Sequence, residues 1–167
     1  MTKLIVLQSA EEAEDYVQRI HTAANNTAMN INEQSGYGTG IELLEKMKFG
    51  KLGVDPLDSE RELNLIEQLN QTYTYLASFK AAEHLFGWHL GLAKLTLNLG
   101  TSSGSDLESK EFGGIAAEVF AATKPNSNDK LRKDIKKVQG TEAQHKYVFF
   151  NCPFIEAGKY AVRSQEG

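Results

Sequence analysis

The stretch Ile115-Ala-Ala-Glu118-Val-Phe-Ala-Ala122 decides the reading of this chain: an apolar run with one carboxylate in its middle. Such a run, closed in by turn residues on both sides, predicts a buried strand. An ionised glutamate is costly there unless it is paired or bound to a metal. Upstream, Gly100-Thr-Ser-Ser-Gly-Ser105 is a turn, and Asp106 to Glu108 form a short extended piece that leads through Gly113-Gly114 into the Glu118 strand. Asp106 and Glu118 therefore belong on adjacent strands, where two carboxylates converge on one hard cation. Mg²⁺ takes oxygen ligands and keeps several waters, so two carboxylates and a backbone carbonyl suffice.

Outward from this core, Pro125-Asn126-Ser127 predicts the start of a helix whose core face is Leu131, Ile135 and Val138. Tyr147 to Phe150 predicts an apolar strand, and Tyr160 to Arg163 a last edge strand. On the other side, Ser59 and Glu62 have the spacing of a capping box. They predict a long helix to about Leu85 with the stripe Leu63, Ile66, Leu69, Tyr73 and Leu76, followed from Trp88 by a period-two strand with a bulge near Ala93. Ser9 and Glu12 predict an earlier helix start, followed by Ala13, Tyr16, Val17, Ile20 and Ala24 at helical spacing. Asn30 to Gly40 predicts a loop, and Ile41 to Lys48 a shorter helix. The order of elements predicts an α/β protein with a mixed sheet flanked by helices and an N-terminal helical subdomain. We divide the single domain, 1–167, into a helical part (1–58), a core (59–150) and a C-terminal extension (151–167).

The composition is that of an ordinary soluble globular chain: 167 residues, 41% hydrophobic and 24% charged. One cysteine, Cys152, excludes an internal disulfide and any zinc site built on several thiolates, and it predicts a reducing, cytoplasmic setting. There is no 18-residue apolar run, so no membrane span is predicted. Leu4 to Leu7 is too short for a signal-peptide core. The formal charge of −4 excludes a uniformly basic surface, but residues 124–138 carry six basic and two acidic side chains. Residues 1–62 carry eleven acids and six bases.

Other motifs fail on context. Gly100-Thr-Ser-Ser-Gly104 matches a nucleophile elbow in letters, but no helix follows it. Gly36 to Gly40 is neither a P-loop nor a dinucleotide fingerprint. His21, His84, His89 and His145 lack metal-ligand spacing and are read as structural.

The Asp106 and Glu118-Val119-Phe120 pattern, with its order of elements over residues 59–150, resembles the PD-(D/E)XK nuclease superfamily, the restriction-endonuclease-like fold. The resemblance implies Mg²⁺- or Mn²⁺-dependent hydrolysis of DNA phosphodiesters. Asp106, Glu118 and the Val119 carbonyl would hold the metal, and Glu83 would be the accessory carboxylate of the preceding helix. The superfamily's lysine two residues after the glutamate is replaced by Phe120. Some members supply that cation from the following helix, and there Lys130 is the candidate to position the water, with Lys133 next. Lys124, Lys130, Lys133 and Lys137 would meet DNA phosphates. A rival reading keeps the fold and drops the chemistry: a module that binds nucleic acid or protein, its acidic N-terminal part serving a partner or a homodimer.

Overall fold

The computed structural model describes residues 3–36, 38–100 and 103–160. Its centre is a five-stranded mixed sheet in the order β1-β4-β5-β6-β7. The strands are β1 (Leu4–Leu7), β4 (Leu95–Asn98), β5 (Leu107–Ser109), β6 (Ile115–Ala121) and β7 (His145–Asn151). Neighbours are antiparallel except β6 and β7, which run parallel. That parallel pair needs a crossover, and α4 (Lys130–Gln139) provides it. The remaining elements are α1 (Ala10–Ser35), α2 (Gly40–Phe49), the hairpin β2 (Gly53–Asp55) and β3 (Asp58–Leu63), and α3 (Leu65–Trp88). Among the described residues no helix is long and apolar enough to cross a membrane.

Alternation along β6 assigns the two faces of the sheet. Ile115, Ala117 and Val119 join Leu95, Leu97 and Leu107 in a core with Val17 and Ile20 of α1 and Phe79, Ala82 and Leu85 of α3. Phe79 is fully buried and stacks on Tyr16 with ring centroids 4.5 Å apart. Ala116, Glu118 and Phe120 point the other way, beneath α4. The core thus takes in α1 and β1, both from the segment before residue 58. It is a mixed α/β architecture, as the order of elements predicts.

Several local expectations are corrected. The Ser59–Glu62 box does not start a helix: these residues lie in β3, paired with β2, and Glu62 is tied to Lys51. The helix starts five residues later, where Asn64 and Glu67 form the reciprocal box. The stripe shifts with it, so Ile66, Leu69 and Tyr73 are exposed and the smaller Ala81, Ala82 and Ser78 lie inside. They share the buried face of α3 with Tyr75, Phe79 and Leu85.

Helix α1 runs to Ser35, so of the Asn30 to Gly40 segment expected as a loop Gly36, Gly38 and Thr39 lie outside a helix. Within the added turns Asn30 Nδ2 donates to the Leu52 carbonyl at 2.9 Å. From Trp88 the strand is shorter than its pattern: Gly91 turns the chain at φ 90°, and only Leu95–Asn98 is extended, without a bulge. Leu4–Leu7, an unassigned apolar run, is the edge strand β1. Tyr160 is not in a strand, and 161–163 lie outside the described residues.

Candidate functional site

The pairing of β5 with β6 places Leu107 opposite Ala117 and Glu108 opposite Ala116. Continued by one residue, that register sets Asp106 across from Glu118, on the face that α4 covers. Asp106 is anchored by the backbone: its Oδ2 accepts from the Val119 N–H at 2.8 Å. A strand residue directs its N–H and C=O to the same side, so the Val119 carbonyl shares the side on which Asp106 sits. The chain turns into β6 through Gly113 and Gly114, both at positive φ. A Cβ on Gly114 would meet the Ala143 Cα at 3.0 Å, so the close approach requires glycine.

Glu118 is 1% exposed. Its Oε2 accepts from Lys137 Nζ at 2.7 Å, and its Oε1 is buried with no hydrogen-bond partner. Lys137 comes from the third turn of α4. Beside it an open depression of about 680 Å³ runs between β5 and the end of α4, lined by Ser105, Glu108, Ala116, Lys137 and Thr141 among others; Asp106 and Glu118 lie behind this lining and not in it.

The charges of this cluster act on one another. Burial pushes the Asp106 carboxyl above its ordinary range, against the Val119 N–H and the lysines 137 and 130, which pull it down. Glu118 is also raised, first by burial and further by Asp106 and Asp134, while Lys137 opposes the shift. Burial lowers the Lys137 ammonium, but Glu118, Asp106 and Asp134 outweigh it and the net shift is upward. The site therefore has three buried or half-buried acids, with the Lys137 ammonium on Glu118 and the Lys130 ammonium on Asp134.

Asp134 is the member that sequence reasoning missed. It lies on the inner stripe of α4 with Leu131 and Val138, 2% exposed. The signal was there: a charge at i+3 from Leu131 in an apolar stripe is the same anomaly as Glu118 in its apolar strand.

The other expected residues are distributed as follows. Lys130 Nζ donates to Asp134 Oδ1 at 2.7 Å, so the ammonium resting on Glu118 is that of Lys137. Lys133 donates to the Asn128 carbonyl at 3.0 Å, and Lys124 is exposed in the turn before α4. Glu83 pairs with Lys80 on α3, the helix packed on the opposite face of the sheet, and is not brought to Glu118. Three of the four histidines make structural contacts: His84 stacks with Trp88 and Phe149, His89 Nε2 bonds the Tyr147 hydroxyl at 2.9 Å, and His145 meets His89 edge-on.

The donor set fits a hard divalent cation. Carboxylate oxygens are its ligands of choice, Glu118 Oε1 is an unmet acceptor, and a positive charge would offset the burial that raises both carboxyls. Among the described residues no three His, Cys, Asp or Glu side chains form a metal-holding group. A Mg²⁺ site that keeps most of its waters requires only one or two carboxylates. Compared with protein-family models, curated proteins and solved structures, the chain matches none of them, so the chemistry of this cluster carries the functional reading.

Proposed function

We propose that the chain is a restriction-endonuclease-like, PD-(D/E)XK-type nuclease that hydrolyses DNA phosphodiester bonds with Mg²⁺ or Mn²⁺. The observation that carries the reading is the unpartnered Oε1 of Glu118, buried opposite Asp106 with a lysine on the other oxygen. Asp106, Glu118 and the Val119 carbonyl are the candidate ligands. A bound cation of this kind polarises a phosphoryl oxygen and lowers the pKa of a water.

The protein's own groups prepare that chemistry. The Val119 N–H fixes the Asp106 carboxylate, and burial keeps Glu118 in one place. Lys137 holds the ammonium closest to Glu118 and takes the role of orienting the attacking water and steadying the charge that develops on phosphate. Lys130, whose charge acts on Asp106, stands at the first position of α4 and offers a further phosphate contact. Lys124 and Lys133 are exposed on the same segment and supply phosphate contacts that do not read sequence.

The test is nicking of supercoiled plasmid. Wild type is expected to nick it with Mg²⁺ or Mn²⁺ and to stop in chelator, while Asp106→Asn and Glu118→Gln lose at least about 100-fold in rate, the scale of losing a principal charge-stabilising group. Lys137→Ala is expected to lose more than Lys133→Ala. No metal-dependent cleavage by the wild type defeats the reading.

A second reading is favoured by one other observation. Helix α2 buries none of its residues, and it exposes Ile41, Leu44 and Phe49. Surface apolar side chains of this size suit a protein-binding module, with a partner or second copy covering the N-terminal part. Light scattering that shows a concentration-dependent dimer, lost in Ile41→Ser/Leu44→Ser, together with no cleavage, would favour it.

A further inference from the structure

Helix α4 carries a carboxylate where its packing calls for an apolar side chain. Its buried residues are Leu131, Asp134 and Val138, and Asp134 Oδ2 has no hydrogen-bond partner. Oδ1 takes the ammonium of Lys130. As a device to stabilise the helix, this pair is poorly built. The lysine precedes the acid by four residues, the less favourable order, and it stands at the first helical position, where the dipole opposes a cation. A buried carboxylate with half of its acceptors unmet is less stable than an apolar residue that fills the same space. Helix stability therefore does not account for the pair, and the place where it holds the ammonium does.

Lys130 Nζ lies 6.0 Å from the centroid of the Phe120 ring, two residues beyond Glu118 on the same face. Its charge reaches Asp106, while its side chain remains 43% exposed with N–H donors left over. Phe120 occupies the strand position and cannot donate a hydrogen bond. The ammonium over its ring can.

We propose that Asp134 is a positioning residue: it holds the Lys130 ammonium above Phe120 at the edge of the Asp106–Glu118 site, ready for a phosphate oxygen of the bound DNA strand. The proposal rests on the nuclease reading for its substrate, and its test separates the two. The variants are Lys130→Ala, Asp134→Asn, the pair combined, and Arg132→Ala as an exposed control with the same loss of charge. Binding of a short fluorescent DNA duplex is measured by anisotropy with Ca²⁺, and plasmid nicking with Mg²⁺.

Lys130→Ala and Asp134→Asn are each expected to weaken duplex binding about tenfold, the scale of one charge-assisted hydrogen bond. The double variant is expected to be no weaker than either single one, because the two residues act as a unit. Asp134→Asn keeps the wild-type melting temperature or exceeds it. Wild-type binding in Asp134→Asn, additive losses in the double variant, or a loss matched by Arg132→Ala overturns the proposal. Wild type that nicks while Asp134→Asn is unimpaired leaves the nuclease reading and removes this one. Wild type that does not nick but shows the non-additive binding losses removes the nuclease reading and keeps this one. No duplex binding by the wild type overturns this proposal, and together with no nicking it overturns both.

Discussion

Two carboxylates in this protein stand where the surrounding pattern asks for a hydrocarbon: Glu118 in β6 and Asp134 in α4. Each has one oxygen on a lysine and the other buried and unmet. Such groups cost stability, and the direction of that cost is measurable. The Asp106 and Glu118 carboxyls are raised in the folded protein, so folding favours their protonated forms. Their contribution to stability is greatest below the unfolded pKa of about 4 and is lost as pH rises through the folded value. Asp106→Asn removes the charge and keeps an acceptor for the Val119 N–H. It is expected to raise the melting temperature at pH 7 to 8, with the gain shrinking as pH falls towards 4. A gain that does not depend on pH would show that the charge of Asp106 is not the source of the cost. Adding Mg²⁺ to the wild type is expected to recover part of the same stability, because a cation that binds only the folded site stabilises it by mass action.

At the scale of elements, helix starts were legible where capping chemistry is local, and misleading where two boxes compete. Ser9 caps α1 through the Glu12 N–H at 3.2 Å, although the Glu12 carboxylate reaches back to the N–H of Gln8. Ser59 and Glu62 have the same spacing but lie in a hairpin, because Leu63 is buried as the last residue of β3 and Glu62 is held by Lys51. The competition has a direct check. Asn64→Ala is expected to destabilise the protein by about 1 kcal/mol, and Ser59→Ala by almost nothing. Denaturant midpoints that fall equally in the two variants would contradict the helix start at Leu65. The edges of the sheet were less legible than its centre. β6 announces itself by a seven-residue run, whereas β1 has four residues that acquire meaning only when β4 pairs with them.

Across the whole molecule, charge is distributed against its sum. The chain is acidic overall, yet six basic side chains fall within residues 124–138, on and before the helix that covers Glu118. If this face meets phosphates, DNA affinity falls steeply between low and physiological salt, since each contact releases counterions. Lys133→Ala is expected to reduce the slope of log K against log salt by about 1. A slope near zero in the wild type would leave these lysines as a solvated surface.

The sequence by itself determined the β6 and β7 strands, Leu131 and Val138 on the inner side of α4, the helix start at Ser9 and the α/β class, because each depends on periodicity or capping within a few residues. It also determined that Asp106 and Glu118 flank one glycine-rich turn. Only the tertiary structure decided which lysine rests on Glu118. Lys130 and Lys137 are two turns apart on one side of α4, and sequence spacing favoured Lys130 because it follows the strand most closely. The choice is set by how α4 crosses the parallel β6–β7 pair, which no local pattern encodes. The same crossing buries Asp134, while the packing of α3 with α1 in the core on the other face of the sheet keeps Glu83 away from Glu118.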